Sequence, residues 1–61
     1  MNVGDVVAWD TIWGTQFGHI RMIGYDTHEI RLMDGGVCRV EEHRLRPATL
    51  AEWYGNVITP Q

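Results

Sequence analysis

Apolar residues alternate with polar ones on both sides of a glycine turn in the middle of the chain. Ile30 and Leu32 lie two positions apart, as do Cys38 and Val40, so each pair shares one face of its strand. Residues 34–36 read Asp-Gly-Gly, and glycine can adopt positive φ angles without steric cost. The pattern predicts a β-hairpin whose turn has three residues and a bulge.

The same reading predicts further strands on either side of this hairpin. β-Branched and aromatic runs separated by turn residues indicate strands, which we place at residues 5–9, 17–25, 29–33, 37–40 and 45–47. Residues 10–16 are predicted to form a loop, and residues 41–45 one turn of 3₁₀ helix. Because proline lacks a backbone donor, Pro47 places the last strand at a sheet edge or ends it.

A capping motif marks the only predicted α-helix. Thr49 and Glu52 have the Thr-x-x-Glu spacing in which each side chain can bond the other residue's backbone N–H. We predict a helix over residues 50–54 that ends at Gly55 and packs on the sheet through Leu50 with Trp53 or Tyr54. Residues 56–61 are predicted to be a tail.

The elements together predict an all-β domain. Its inward side chains are expected to be Val7, Ile20, Leu32, Val40 and Leu45. The fold class is a five-stranded small β-barrel with a 3₁₀ turn and a short C-terminal helix. A single domain spans residues 1–61, with its core in residues 3–48 and the helix and tail in residues 49–61.

The passage over residues 40–45 carries the clearest resemblance. It reads Val-Glu-Glu-His-Arg-Leu, an apolar residue on each side of one polar helical turn. It resembles the strand–3₁₀–strand passage of the Src-homology-3-like (SH3-like) barrel. The resemblance covers about residues 3–48 and implies that fold.

Two families on this architecture share short spacings with the chain. Gly4-Asp5-x-Val7 and Gly18-His19-Ile20 are similar to the scaffold of plasmid type II dihydrofolate reductases, which implies a reductase formed at a pore between subunits. That family's Val-Gln-Ile-Tyr motif would fall on residues 37–40, which read Val-Cys-Arg-Val. Gly4-Asp5-x-Val7 and Gly18-x-Ile20 also resemble KOW-type modules. These usually have basic loops, whereas residues 10–16 contain no cation.

Length and cysteine content bear on how the fold is stabilised. A chain of 61 residues buries only about 60% of its unfolded surface, so its stability is marginal. Cys38 is the only cysteine, which excludes an internal disulfide and a cysteine-rich zinc site. Homo-oligomerisation is the expected additional support, and a well-packed monomer is the alternative.

Charge limits the classes of partner. The net charge is −3 and every basic residue is arginine, so a whole-chain basic footprint for nucleic acid is missing. No segment has the apolar length of a membrane span. The first residues lack a basic signal region, and with a free cysteine this indicates a cytoplasmic protein.

Aromatic residues are the first candidate binding groups. Trp13 lies among small and polar neighbours in the predicted loop. Loop aromatics form polyproline grooves in Src-homology-3 domains. We therefore expect an interaction surface formed by Trp13, Tyr25, Trp53 and Tyr54. The alternative is that the aromatic residues serve mainly the core.

Arginines form the second candidate surface. Arg21, Arg31 and Arg39 have the spacing that puts them on the outer face of neighbouring strands, and Arg44 and Arg46 could extend that face. Guanidinium groups bind phosphates or carboxylates with two hydrogen bonds. Pairing with nearby glutamates is the alternative. The three histidines, His19, His28 and His43, are predicted to be separate surface residues rather than metal ligands.

These observations predict a small non-enzymatic interaction module. It would bind a protein partner or its own copies through the exposed aromatics and needs no cofactor. The first alternative is a nucleic-acid-binding accessory protein that uses the arginine face. The second is an oligomeric reductase resembling the type II dihydrofolate reductases.

Overall fold

The protein is an open antiparallel sheet followed by one helix. The structure, a computed structural model, describes the backbone of residues 1–58 and the side chains of residues 1–55. The strands are β1 (Val6–Thr11), β2 (Gly14–Met22), β3 (Thr27–Leu32), β4 (Val37–Glu41) and β5 (Arg46–Pro47). A 3₁₀ turn spans Glu42–Arg44, and helix α1 spans Leu50–Ile58.

The five strands form one sheet with the order β4-β3-β2-β1-β5. The predicted predominance of β-strands, the five strands, the 3₁₀ turn and the short helix are confirmed. The placement of the last strand at an edge is also confirmed, because Pro47 lies in β5 and pairs with Val7 of β1. Within residues 1–58, however, β4 and β5 do not pair, so the sheet is not closed into the barrel that the sequence predicted.

The main hydrophobic cluster lies on one face of this sheet, whereas the buried Ala8 and Phe17 pair with each other on the other face. Period-two alternation sends one set of side chains inward from each strand. All five predicted inward residues lie in this core, with Leu32 packed at its margin. The core members are Val7, Trp9, Ile20, Ile30, Val40 and Leu45, with Leu32 and Cys38 packed against them. Ile20 and Ile30 are directly opposite each other and fully buried, a burial that stabilises by about 1.5–3 kcal/mol per side chain.

The connection between β1 and β2 differs from the predicted loop over residues 10–16. Thr11 pairs with Gly14, so only Ile12 and Trp13 form the turn. Gly14 has a φ of 110°, a conformation that other residues rarely adopt. The Thr11 hydroxyl accepts a hydrogen bond from the Trp13 N–H at 3.1 Å and donates to the Gly14 carbonyl at 2.8 Å. Turn chemistry thus extends both strands into the predicted loop.

Strand β2 ends earlier than predicted because its register shifts. Ile20 pairs with Ile30, but Met22 pairs with Glu29. One extra β2 residue, Arg21, therefore lies between these pairs, as in a β-bulge. The bulge turns Met22 outward, although its spacing from Ile20 predicted a shared inward face.

Helix α1 begins as predicted but does not end at Gly55. The Thr49 hydroxyl accepts a hydrogen bond from the Glu52 N–H at 3.1 Å. In a full capping box, the Glu52 carboxylate would accept a hydrogen bond from the Thr49 N–H. Here that carboxylate accepts from the Arg46 guanidinium at 3.3 Å instead.

The helix continues through Gly55 to Ile58, so the predicted tail is wrong for residues 56–58, and residues 59–61 lie outside the described residues. Leu50 and Tyr54 are exposed. Trp53 is the half-buried side chain among residues 50–55 of the helix, and Glu52 contacts Arg46 of β5. No helix within the described part of the chain could cross a bilayer.

Candidate functional site

A cleft of about 440 Å³ lies between the β1–β2 turn, the β3–β4 turn and α1. It brings together residues that are far apart in the sequence. Its lining consists of Trp13, Gly14, Thr15, Gln16, Phe17, Leu32, Met33, Asp34 and Trp53. The volume falls within the range typical of small-molecule and side-chain pockets. We call this space the aromatic cleft.

One wall of the aromatic cleft is Trp13. Trp13 lies at the tip of the two-residue β1–β2 turn and is 83% exposed. The Thr11 hydroxyl bonds at both ends of the turn fix its backbone. Thr15 adds a hydrogen bond from its hydroxyl to the Asp10 carboxylate at 3.0 Å, which ties β2 to β1 next to the turn.

A second indole in the lining is Trp53, in the first turn of α1. The Trp53 backbone N–H donates to the Thr49 backbone carbonyl at 3.2 Å. The Thr49 cap and the Arg46–Glu52 ion pair hold this end of the helix near β5. The ring of Tyr54 lies 4.8 Å from that of Trp53, at 49°. Tyr54 is 51% exposed and lies beside the cleft rather than in its lining.

The floor is apolar and the rim is acidic. Phe17 is buried and Leu32 is half-buried. The Met33 N–H donates to the Phe17 carbonyl at 3.4 Å, which brings the β3–β4 turn towards β2. The Asp34 carboxylate accepts a hydrogen bond from the Gly36 N–H at 3.1 Å and lies at the edge of the cleft. No basic side chain is among the described lining residues, so the cleft offers aromatic surface beside a negative charge.

The four predicted aromatic binding residues do not form one surface. Trp13 and Trp53 line the cleft, and Tyr54 stacks beside Trp53. Tyr25 is 99% exposed in the connection after β2, whereas the cleft is at the beginning of β2. Tyr25 therefore belongs to the other end of the sheet, near the exposed Met22.

Sequence reasoning missed the floor and the acidic rim of the cleft. The floor residues Phe17, Leu32 and Met33 look like ordinary strand residues. Met33 gave the one usable signal, because it is apolar where the alternation along β3 calls for a polar residue. That Met33 lines the cleft follows only from the tertiary structure, in which the β3–β4 turn lies near the β1–β2 turn.

The arginines divide into two groups. Arg21, Arg31 and Arg39 project from the outer face of β2, β3 and β4, as predicted. Arg21 forms an ion pair with Glu29, which is also directly opposite Arg39 across β3 and β4. Arg31 and Arg39 make no ion pair within the described residues.

The other two arginines lie on the β1–β5 side of the sheet. Arg44 donates a hydrogen bond to the Asp10 carbonyl at 3.0 Å, and Arg46 pairs with Glu52. Both guanidinium groups therefore bind parts of the fold, and neither lies next to the β2–β4 group.

The histidines and the cysteine form no reactive cluster. His28 lies within β3 and is only 3% exposed, so its predicted position on a surface turn is wrong. Its ring fills the inward position two residues before Ile30. Within residues 1–58, no group of three or more His, Cys, Asp or Glu side chains could hold a metal ion. Cys38 is half-buried against the core, and this burial raises the pKa of its thiol.

Comparisons with known proteins leave the site to be interpreted from its own geometry. No protein-family model matches the chain, and no curated protein or solved structure gives a significant match.

Proposed function

We propose that this chain is a non-enzymatic interaction module that binds an extended segment of a partner protein in the aromatic cleft. The observation that carries this proposal is the placement of the 83% exposed Trp13 and the half-buried Trp53 on the same cavity. Indole rings offer large contact areas and are enriched among the residues that dominate binding energy.

We also propose that the architecture is SH3-like. The meander of β1 to β4, the 3₁₀ turn after β4 and the return of β5 to β1 support this assignment. The cleft lies between the first hairpin turn and the β3–β4 turn, which are brought to one end of the sheet by this topology. Loops held at one end of a rigid sheet are common places for binding residues.

The chemistry of the cleft favours an apolar, proline-containing segment that also carries a basic side chain. Flat aromatic walls suit proline rings, and a preformed polyproline conformation loses little entropy on binding. Asp34 at the rim and the net charge of −3 favour a cation over an anion. An arginine or lysine could also lie over an indole face.

A peptide array tests this proposal by varying proline content and net charge independently. We expect basic, proline-containing peptides to bind. Replacing Trp13 with alanine should weaken binding by about 2 kcal/mol or more, as for a central interface tryptophan. Tyr25→Ala is the matched control, because Tyr25 is exposed but lies away from the cleft. Equal binding by the Trp13→Ala and wild-type proteins would refute the proposal.

A second candidate is nucleic-acid binding by the outer face of β2 to β4. It is supported by Arg31 and Arg39, two exposed guanidinium groups without an ion pair in the described structure. Phosphate binding releases counterions, so affinity would fall steeply with added salt. A gel-shift series at increasing salt, with Arg31→Ala as the variant, tests it. Absence of any shift at low salt would remove this candidate.

A further inference from the structure

The two edges of the sheet differ in how far they are protected from pairing with another strand. At one edge, β5 has two residues, one of them Pro47, and is followed by α1. Short edge strands, proline and a following helix all prevent further pairing. At the other edge, β4 has five residues in unbroken register with β3. It contains neither proline nor a bulge, and β3 is its only strand neighbour among the described elements.

Hydrogen bonds at both ends of β4 show which backbone groups already have partners. The Leu32 N–H donates to the Gly36 carbonyl at 2.6 Å just before β4. The Glu42 N–H donates to the Asp26 carbonyl at 2.9 Å just after it. Gly36 and Glu42 therefore both turn their backbone groups towards β3.

The pairing of an antiparallel ladder repeats every two residues. Cys38 and Val40, which lie between Gly36 and Glu42 at this period, thus direct their N–H and carbonyl groups to β3. The residues in between, Val37, Arg39 and Glu41, direct theirs away from the sheet. β4 thus presents a row of backbone donors and acceptors to its surroundings.

The side chains on this free edge carry opposite charges two residues apart. Arg39 and Glu41 are both exposed. We infer that β4 pairs with the β4 strand of a second copy of this chain, antiparallel and with Arg39 of each copy opposite Glu41 of the other. This register forms two opposite-charge pairs around a two-fold axis at Val40.

The charge pattern favours this occupant and this register. Directly opposed unlike charges stabilise a strand pair, and like charges destabilise it. An edge of one charge sign would repel its own copy, whereas alternating signs complement themselves in an antiparallel arrangement. The neighbouring register centred on Arg39 would place the two arginines against each other.

The association is expected to be weak because the contact is small. The register pairs only residues 39–41 of each β4, because Val37 and Cys38 fall opposite His43 and Glu42, which lie beyond the end of the other β4. Such a short pairing buries less than the roughly 1,200–2,000 Å² of a stable complex. The inferred dimer would be populated only at high protein concentration. None of the aromatic-cleft residues lies in β4, so self-association and peptide binding are independent properties that separate experiments can test.

Sedimentation equilibrium over a range of concentrations tests the inference. All variants carry Cys38→Ser, which excludes disulfide-linked dimers. Arg39→Glu and Glu41→Arg should each weaken dimerisation by about tenfold, since each replaces attractive cross-strand pairs with repulsive ones. The double exchange Arg39→Glu/Glu41→Arg should restore the wild-type dissociation constant. In the register centred on Arg39, the wild type and all three variants would oppose like charges at position 39, so the single exchanges would not weaken dimerisation selectively.

Arg39→Pro provides a second test that does not depend on charge. The Arg39 N–H points away from β3, so proline removes a donor that only a second copy would use. We expect loss of the dimer with a cooperative unfolding transition retained. A wild-type protein that stays monomeric at every concentration would overturn the inference. The inference would also be overturned if the double variant dimerised as weakly as the single variants, or if Trp13→Ala abolished the dimer.

Discussion

The Nδ1 atom of His28 accepts a hydrogen bond from the Gly24 backbone N–H at 3.2 Å. His28 is 3% exposed, and its Nε2 atom lies 3.6 Å from a carboxylate oxygen of Glu42. The buried side chain of His28 therefore links the loop between β2 and β3 to the 3₁₀ turn after β4. Because Nδ1 accepts this bond, it carries no proton, and the ring proton is on Nε2, towards Glu42.

Replacing His28 with leucine should destabilise the protein by about 1–3 kcal/mol, since the Gly24 N–H loses its acceptor in a partly buried position. That is a large share of the roughly 3–9 kcal/mol expected for a chain of this length. Urea unfolding followed by tryptophan fluorescence measures the change.

Two variants isolate the hydrogen bond from the packing of the ring. Asparagine at position 28 can place its side-chain oxygen near the Nδ1 position, so His28→Asn should retain more stability than His28→Leu. His43→Leu is the surface control, because His43 is 76% exposed, and it should change stability by less than about 0.5 kcal/mol. Equal losses for the leucine and asparagine variants would show that the Gly24 bond contributes nothing.

Two glycines should respond to alanine with opposite signs. A Cβ atom at Gly18 would lie 2.5 Å from Cγ2 of Ile30 and 2.7 Å from the Arg31 carbonyl oxygen. Since the carbonyl belongs to the paired strand, it cannot move aside, and Gly18→Ala should cost about 1–3 kcal/mol or more. A Cβ atom at Gly55 meets nothing within 4 Å. Gly55→Ala should therefore stabilise the helix by about 0.5–1 kcal/mol.

Thermal unfolding of both alanine variants checks the pair. One kcal/mol corresponds to a shift of about 4–8 °C in a domain of this size. A raised melting temperature for Gly18→Ala would contradict the close approach of β3 to β2. A lowered melting temperature for Gly55→Ala would contradict a helix that continues through position 55.

The strand faces and the hairpin were predictable because local signals determine them. Alternation placed Ile30 and Val40 inward, and the Asp-Gly-Gly turn joined their strands. The bulge at Arg21 was not predictable, because it depends on which β3 residue lies opposite. Gly55 shows the limit of propensity, since a residue that commonly ends helices lies inside α1.

The aromatic cleft was predictable only in part. Trp13 was identified because its neighbours are small and polar, and Trp53 because it follows a capping motif. Their meeting across one cavity depends on α1 lying near the β1–β2 turn, for which the sequence contains no pattern. Tyr25 had a similar local signal, but tertiary structure places it at the other end of the sheet.

The helix cap at Thr49 leads to a third prediction. Thr49→Ala removes the acceptor for the Glu52 N–H and should cost about 0.5–2 kcal/mol. Thr49→Ser keeps the hydroxyl and should be close to wild type. Because α1 carries Trp53, the alanine variant should also make Trp53 more accessible to acrylamide quenching. Identical quenching and stability in the alanine and serine variants would show that the cap does not position this helix.

Cys38 gives the last prediction, because burial raises the pKa of its thiol. The folded state disfavours the thiolate, whereas the unfolded thiol titrates near its usual value of about 8.5. Below that pH both states are protonated and this group does not affect stability. As pH rises above it, the unfolded state loses its proton first, so stability should fall with pH.

Alkylation by iodoacetamide measures the same effect directly, since the thiolate is the reacting species. At moderately alkaline pH the native protein should react more slowly than the urea-unfolded protein. The alkylation rate of the native protein should rise over a higher pH range than that of the unfolded protein. Cys38→Ala should show a smaller loss of stability between neutral and alkaline pH than wild type. Equal alkylation rates in the native and unfolded states would mean that the core does not shield this thiol.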